Sequence, residues 1–271
     1  MVKNMSKFGF IGCGNMGGVL CTAVRKSCND ITLFDKDTEK AVKLANTLGV
    51  PASPSAVDLV KTSSFIVLGV KPQILPLVLN EIAPVLSARS DRFVIISMAA
   101  GVDTRSITDT LGFDAPVIRI MPNTPAEVGK GMILYTGNAL VTSEDKAAFV
   151  EDFKAAGELD EISENLIDAA SAVSGCGPAF VYMFIEALAD GGVKAGLPRE
   201  KALKYAATTV QGAAATVLKT GRHPEALKDA VCSPAGSTIE GVRTLEAGGF
   251  RGTVVDAVSE SFKRTKELGK K

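Results

Sequence analysis

The chain has 271 residues, 46% of them hydrophobic, and its 30 basic residues equal its 30 acidic residues in number. Such a balance gives no electrostatic surface for nucleic acid or an anionic membrane, so neither is an expected partner. The Met1 to Lys7 segment is polar, and no apolar run approaches the roughly 18 residues of a membrane span. These properties predict a cytoplasmic protein.

The cysteine pattern gives no sign of a disulfide framework or a metal site. The five cysteines are an odd number without C-x-x-C spacing: Cys13, Cys21, Cys28, Cys176 and Cys232. Reduced thiols and no bound metal are therefore expected.

The first half of the chain alternates short apolar strands with helical segments such as Met16–Lys26 and Thr38–Leu48. This alternation predicts an α/β fold with a doubly wound, mostly parallel sheet. The predicted strands are Phe8–Gly12, Ile31–Asp35, Phe65–Val70, Phe93–Met98 and Val117–Met121, with Met132–Thr136 and Gly157–Ile162 completing or edging the sheet.

The strand pattern fades after about Asn165, and helical patterns follow it. Pro178–Ala189 predicts a helix stopped by Gly191 and Gly192, and a second helix runs from Pro198 to Lys219. We therefore predict a dinucleotide-binding domain over residues 1–162 and a helical domain over residues 163–271. The second helix is rich in Ala, which either reflects helix propensity alone or allows burial against a second subunit.

Gly12–Gly17 reads G-x-G-x-x-G, follows a predicted strand and opens a predicted helix. The glycines allow a tight turn, close approach of a pyrophosphate, and packing of helix on strand. Asp35 ends the next strand, at the spacing of an acidic residue that binds a ribose 2′-hydroxyl. The motif therefore predicts NAD or NADP binding by Ile11, Gly12, Gly14, Asn15, Met16, Gly17 and Asp35.

Asp35-Lys36-Asp37 also indicates which nicotinamide cofactor is preferred. A 2′-phosphate would meet two carboxylates and one lysine, with no arginine in this loop. The charges favour NADH, although Lys36 could pair with a phosphate.

Three more loops follow predicted strands and are expected at the same edge of the sheet, where ligands of open α/β sheets bind. They are Val70–Gln73, Ser97–Gly101 and Met121–Pro125. Small residues in the second loop would allow a nicotinamide ring to lie against the backbone. The cofactor-binding residues predicted here are Val70, Lys71, Pro72, Met98, Ala99, Ala100 and Asn123.

Two loops of small residues precede helices in the second half of the chain, Ser174–Phe180 and Ala230–Gly241. In the later loop, Ser237 and Glu240 have the spacing of a capping box, which predicts a helix start near residue 237. The amides of a helix start and the helix dipole favour a carboxylate or phosphate. A small anionic substrate is therefore expected at this loop.

These segments together resemble pyrroline-5-carboxylate reductases, the last enzymes of proline synthesis. The resemblance covers nearly the whole chain and is carried by Gly12–Gly17, Val70–Gln73, Met121–Ala126, Ser174–Phe180 and above all Val231–Glu246. It implies a Rossmann domain followed by an all-helical dimerisation domain, interlocked with that of a partner and often forming a decamer of five dimers.

The resemblance also implies hydride transfer to the imine carbon of Δ1-pyrroline-5-carboxylate, which gives L-proline. The amides of Gly236, Ser237 and Thr238 would bind the substrate carboxylate, and the catalytic Thr238 hydroxyl would meet the ring nitrogen. Val231 and Ser233 would shape the pocket, and Lys71, Glu164 and Cys176 would line it or order its water.

Three residues depart from the family pattern. Ala230 stands where many relatives have Asn, Ala235 replaces a frequent Gly, and Met98 occupies a position that is usually small. We expect the Ala235 change to be harmless and the other two to affect substrate affinity and specificity.

Two alternatives remain open at this point. A 3-hydroxyacid dehydrogenase has a similar Gly12–Gly17 pattern but needs a catalytic Lys or His, for which Lys194 is the nearest lysine. A dinucleotide-sensing protein would keep the fold without catalysis. The single histidine, His223, lies in a predicted surface loop.

Overall fold

The computed structural model describes residues 6–268, which contain a seven-stranded sheet and a run of helices after it. The strands are β1 (Phe8–Ile11), β2 (Ile31–Phe34), β3 (Phe65–Leu68), β4 (Val94–Ser97), β5 (Val117–Met121), β6 (Gly131–Gly137) and β7 (Gly157–Glu161). The helices are α1 (Asn15–Val24), α2 (Thr38–Leu48), α3 (Ala56–Val60), α4 (Leu75–Ser87), α5 (Thr104–Leu111), α6 (Ser143–Phe153), α7 (Glu164–Ser174), α8 (Gly177–Lys194), α9 (Arg199–Thr220), α10 (Pro224–Ala230), α11 (Ser237–Ala247) and α12 (Phe250–Leu268). Short 3-10 turns occupy Thr124–Val128 and Lys154–Ala156.

The sheet has the order β2-β1-β3-β4-β5-β6-β7, and every neighbouring pair is parallel except the antiparallel pair β5–β6. This confirms the predicted Rossmann fold, and each of the seven predicted strands is present. The chain leaves β1 towards one edge and returns to β3 on the other side. The carboxyl ends of β1 and β3 therefore form the switch point at which such sheets bind ligands.

Apolar side chains cover both faces of this sheet, as expected for parallel strands. Phe8 and Phe10 of β1 belong to one buried cluster, while Ile11 belongs to the cluster on the other face. Because successive side chains of β1 point to opposite faces of the sheet, this one strand is anchored in both cores. The two cores therefore fix the loop that follows Ile11.

The chain forms two compact units. The first extends to Cys176 and includes residues from Ser261 onward, and the second is Gly177–Glu260. The helix α7 belongs with the sheet because its Asp168 pairs with the buried Arg119 of β5. The two compact units are defined by contacts within each unit. The predicted domain limits, 1–162 and 163–271, are defined by the change from strands to helices. Because the criteria differ, those limits stay a prediction.

The second unit has a small core of its own. Its buried cluster among the described residues consists of Ala189, Ala202 and Ala206, at the contact of α8 with α9. Large apolar side chains of this unit are exposed, including Tyr182, Met183, Leu218 and Val255. A helical unit with this distribution has apolar surface available for another chain.

One expectation about α8 is wrong. The helix passes through Gly191 and Gly192 and ends at Lys194; a β-carbon on Gly192 would lie 3.2 Å from the Ala202 side chain, so this glycine permits close packing of α9. The segment Glu164–Lys194, which spans α7 and α8, has a mean hydropathy of 1.4 and is long and apolar enough to cross a membrane by length and composition alone. Core helices of proteins without a membrane span have the same length and composition.

Candidate active site

The glycine-rich loop between β1 and α1 has main-chain contacts that leave no room for a β-carbon at Gly12 or Gly17. Gly12 has φ +100°, and a β-carbon on Gly17 would lie 2.1 Å from the Gly12 carbonyl oxygen. A β-carbon on Gly69, just after β3, would lie 2.8 Å from the same oxygen. Gly69 is thus a third glycine that main-chain contacts require, and the motif did not reveal it, whereas a β-carbon on Gly14 would meet nothing within 4 Å. The helix α1 begins at Asn15 with no side-chain cap, which leaves its first amides open to a pyrophosphate.

The Asp35 carboxylate is part of this loop structure as well as a candidate ribose ligand. Its Oδ2 accepts a hydrogen bond from the Cys13 amide at 2.7 Å, and its Oδ1 accepts one from the Asp37 amide at 2.9 Å. An ionised carboxylate has lone pairs left for a ribose hydroxyl. Asp37 caps α2 by accepting from the Lys40 amide at 3.1 Å, and Lys36 is exposed.

The Cys13 thiol within the loop stays neutral. Burial and the neighbouring Asp35 carboxylate raise its pKa to about 11, against a smaller opposing effect of Lys40. A neutral thiol adds no negative charge beside a bound pyrophosphate. The sequence did not predict that Lys40 of α2 lies close enough to this loop for its charge to act on the Cys13 thiol.

The structure brings the next two predicted loops to the same edge. The Met98 amide donates to the Leu68 carbonyl at 3.4 Å, so the ends of β3 and β4 lie together. Val70, Pro72, Met98 and Ala100 are half-buried and Lys71 is exposed. Ala99 is only 1% exposed as a whole residue, so its predicted contact with the cofactor stays a prediction.

Asn123 is predicted to bind the cofactor, and the structure gives its buried side chain two partners within the protein. The Asn123 Nδ2 donates to the Ser174 carbonyl at 2.8 Å, and its Oδ1 accepts from the Met132 amide at 2.9 Å. These bonds fix the end of α7 to the start of β6, a role that the sequence did not indicate. Its contact with a cofactor stays a prediction.

Glu164 and Cys176 lie at opposite ends of α7. The Glu164 carboxylate accepts from the Thr104 amide at 2.7 Å and from the Thr104 hydroxyl at 3.0 Å. Cys176 is half-buried in a two-residue turn between α7 and α8. The predicted helix entry in Ser174–Phe180 is present: Gly175 and Cys176 form the turn, and α8 begins at Gly177, one residue before Pro178.

The segment between α10 and α11 is an exposed turn. The Gly236 amide donates to the Ser233 carbonyl at 3.0 Å, and Ala235 has φ +57°, the one positive value at a non-glycine residue among those described. Pro followed by a positive φ fits a type II turn, which prefers Gly at the position of Ala235. The Ala235 replacement therefore strains the backbone, contrary to the expectation that it is harmless.

The helix start at Ser237 is confirmed, but the predicted capping box is wrong. Gly236 is the N-cap, no side chain caps the helix, and Glu240 pairs with Arg243 at 3.2 Å. The Gly236 amide is used by the turn, so it is not free for a substrate carboxylate. Ser237 and Thr238, both exposed, are the first helical residues and have amides without an intrahelical acceptor.

Comparisons with known proteins decide the family. The chain is 44% identical over 268 residues to pyrroline-5-carboxylate reductase of Escherichia coli, covering 97% of this chain and 98% of that protein. It is 40% identical over 277 residues to the Arabidopsis thaliana enzyme of the same name, covering 97% and 95%. The chain belongs to the pyrroline-5-carboxylate reductase family. Members of this family reduce Δ1-pyrroline-5-carboxylate to proline.

Structural and profile comparisons agree with membership of this reductase family. A crystal structure of pyrroline carboxylate reductase from Plasmodium falciparum with NADP bound superposes with a TM-score of 0.88 at 34% identity, covering 99% of this chain and all of that one. The family "Pyrroline-5-carboxylate reductase dimerisation" matches residues 164–268, and "NADP oxidoreductase coenzyme F420-dependent" matches residues 7–101. The dimerisation match covers the helices with exposed apolar side chains.

In this family member, ion pairs of α12 hold the helices on either side of the exposed turn. Arg251 Nε donates to Glu246 of α11 at 2.6 Å, and Arg251 Nη2 donates to Glu225 of α10 at 3.0 Å. His223 is exposed and accepts from the Glu225 amide at 3.2 Å, so it caps α10 in the predicted surface loop. Lys194, the lysine considered for a hydroxyacid dehydrogenase, is the last residue of α8.

Proposed function

We propose that this chain reduces Δ1-pyrroline-5-carboxylate to L-proline with NADH or NADPH, and that Thr238 is its catalytic residue. One observation carries the assignment of roles. The first turn of α11 has no side-chain cap and presents the amides of Ser237 and Thr238 beside the Thr238 hydroxyl. Open amides and the positive end of a helix dipole bind carboxylates, and the substrate has one carboxylate.

The residues of the glycine-rich loop fit a dinucleotide. Main-chain atoms surround the places where β-carbons of Gly12, Gly17 and Gly69 would lie, and α1 starts without a side-chain cap. When bound, the nicotinamide supplies the hydride. Asp35 would bind the ribose, and Val70, Met98 and Ala100 would border the ring.

On the substrate side, the amides of Ser237 and Thr238 would hold the carboxylate and orient the ring. The Thr238 hydroxyl would hydrogen-bond to the ring nitrogen, and Val231, Ser233 and Cys176 would shape the pocket. The substrate imine can arrive already protonated from water, so positioning replaces a strong side-chain acid. This fits a chain whose one histidine is an exposed helix cap.

We propose that the chain acts as a homodimer through its helical domain, with a decamer of five dimers as the larger assembly to test. The dimerisation match over residues 164–268 and the exposed Tyr182, Met183 and Leu218 support this assembly. Light scattering of the purified chain gives its mass and so separates monomer, dimer and decamer. A cytoplasmic location stays a prediction from composition.

For the cofactor we propose a preference for NADH, because the Asp35 and Asp37 carboxylates would face a 2′-phosphate. The Plasmodium falciparum relative was solved with NADP, so the preference has to be measured on this chain.

The experiment is steady-state oxidation of NADH and of NADPH with Δ1-pyrroline-5-carboxylate at neutral pH, with proline identified as the product. We expect turnover with both cofactors and a higher kcat/KM with NADH. A folded protein that binds NADH but turns over neither cofactor would favour the sensor hypothesis or another imine substrate.

A further inference from the structure

The helix α7 is bonded at three places to β5 and to the segments that follow β4 and β5. Glu164 binds Thr104 at the start of α5, with bonds of 2.7 and 3.0 Å. One turn later Asp168 pairs with Arg119 of β5, whose side chain is 2% exposed. At the end of α7, the Ser174 carbonyl accepts from Asn123 at 2.8 Å.

The first of these contacts fixes the far end of the loop predicted to border the nicotinamide. That loop leaves β4 at Ser97, which is fully buried, and ends at Thr104, which is 5% exposed. Its near end is held by the bond from the Met98 amide to the Leu68 carbonyl at 3.4 Å. Between the two ends, Gly101 has φ +75°, so the loop turns sharply over few residues.

Glu164 has both carboxylate oxygens engaged in this contact. Its Oε1 takes the Thr104 amide and its Oε2 takes the Thr104 hydroxyl, so it supplies an acceptor to the first turn of α5. Asp103 is the N-cap of the same helix and accepts from the Ser106 amide at 2.7 Å. Two carboxylates therefore fix one helix start, and the Glu164 carboxylate comes from a different element of the fold.

We propose that Glu164 is a positioning residue for hydride transfer, which holds the Met98–Gly101 loop through Thr104 and does not bind the substrate. The inference rests on the proposed function and replaces the sequence-based role of Glu164 as a substrate-side residue. Because hydride transfer needs close alignment of donor and acceptor, a loop shift lowers kcat without a matching change in the substrate KM.

The test compares Glu164→Gln, Glu164→Ala and Thr104→Val in the full-length protein. Gln keeps both bonds, since its Oε1 accepts from the Thr104 amide and its Nε2 donates to the hydroxyl oxygen. We expect Glu164→Ala to lower kcat by about 10-fold to 100-fold, with the substrate KM changed less than about 2-fold. Glu164→Gln should stay within about 3-fold of wild type, and Thr104→Val should lose part of what Glu164→Ala loses.

Two further readouts separate positioning from a loss of folding. With NADH deuterated at the transferred position, the isotope effect on kcat should rise in Glu164→Ala, because the hydride step becomes slower. The double variant Glu164→Ala/Thr104→Val should be no slower than Glu164→Ala alone, since both changes remove one contact. Thermal melting of each variant shows whether it is folded.

The inference is overturned if Glu164→Gln is as slow as Glu164→Ala, because a charge requirement points to proton or substrate chemistry. It is equally overturned if Glu164→Ala raises the substrate KM while Thr104→Val has no effect, or if Glu164→Ala retains wild-type kcat. These outcomes differ from a failure of the proposed function, in which the wild-type protein itself does not reduce Δ1-pyrroline-5-carboxylate.

Discussion

The glycine-rich loop and the turn before α11 are both candidate anion-binding segments at a helix start, and they differ in what holds them. The first is enclosed by its own chain: Gly12, Gly17 and Gly69 pack main chain against main chain, and Asp35 binds the Cys13 amide. The turn Ser233–Gly236 is closed by the bond from the Gly236 amide to the Ser233 carbonyl, and its side chains are largely exposed.

This difference indicates how firmly the protein holds the segments proposed to bind the cofactor and the substrate. The proposed cofactor half lies on strands that are packed between two apolar cores. The proposed substrate half belongs to a unit whose described core consists of three alanines, with large apolar side chains exposed. We therefore expect cofactor binding to tolerate little change in the loop, whereas the substrate turn should respond to ligand and assembly.

The largest effect is expected from Gly17→Ala. Its β-carbon would lie 2.1 Å from the Gly12 carbonyl oxygen, and neither backbone segment can move without disturbing the sheet. Overpacking of this kind costs about 1–3 kcal/mol, and more where main chain is involved, so we expect affinity for NADH and NADPH to fall by about 100-fold or more. Isothermal titration of both cofactors measures the change.

Gly18→Ala is the matched control for this prediction. A β-carbon there would meet the Leu44 side chain at 3.6 Å and the Cys13 carbonyl at 3.7 Å, which are ordinary contacts. It should bind both cofactors like wild type. If Gly17→Ala also binds both cofactors like wild type, then main-chain contacts do not close the loop to a β-carbon at this position.

The next largest effect is expected from Thr238→Ala in the open turn region. Under the proposed mechanism the Thr238 hydroxyl hydrogen-bonds to the ring nitrogen, and its loss should lower kcat by about 10-fold to 100-fold. Cofactor affinity should be unchanged, since the glycine-rich loop holds the dinucleotide independently. Thr238→Ser keeps the hydroxyl and should recover most of the rate. An unchanged kcat in Thr238→Ala would remove Thr238 from the mechanism.

Sequence reasoning was most successful where a residue's role is set by its own main chain. The strands and the Gly12–Gly17 turn follow from local patterns of apolar residues and glycines, and the structure confirms both. Gly69, the Glu164–Thr104 contact and the Asn123–Ser174 contact depend on segments distant in sequence, which no local pattern could reveal.

The errors in the helical half have related causes. Gly191 and Gly192 resemble a helix stop, but α9 packs closely against Gly192 and the tertiary contact prevails over propensity. Ser237 and Glu240 have the spacing of a capping box, yet Gly236 takes the N-cap position because the preceding turn sets the register. A spacing rule cannot tell these alternatives apart.

A smaller effect separates the two roles of Asp35 in the enclosed loop. Asp35→Asn removes the charge and keeps one oxygen acceptor, but its Nδ2 replaces the other oxygen and cannot accept from the second of the Cys13 and Asp37 amides. Asp35→Ser leaves a single hydroxyl oxygen on a shorter side chain. We expect both to raise the ratio of kcat/KM with NADPH to that with NADH, by about 10-fold. Both variants should also weaken binding of both cofactors, and Asp35→Ser should weaken it more. A ratio that stays flat in both variants would contradict the argument from charge.

The smallest effect is expected in the exposed turn, from Ala235→Gly. Ala235 has φ +57°, a conformation that costs a residue with a β-carbon about 1 kcal/mol and costs glycine nothing. The added flexibility of glycine in the unfolded chain offsets part of this gain. We therefore expect Ala235→Gly to raise the melting temperature by about 1–3 °C. Gly236→Ala is the neighbouring control with the opposite sign. Its β-carbon would lie 3.0 Å from the Ser233 carbonyl oxygen that closes the turn, and it should lower both the melting temperature and the affinity for proline. If Ala235→Gly instead destabilises the protein, contacts from outside the single protomer hold this turn. The turn would then differ still more from the glycine-rich loop, which is enclosed by its own chain.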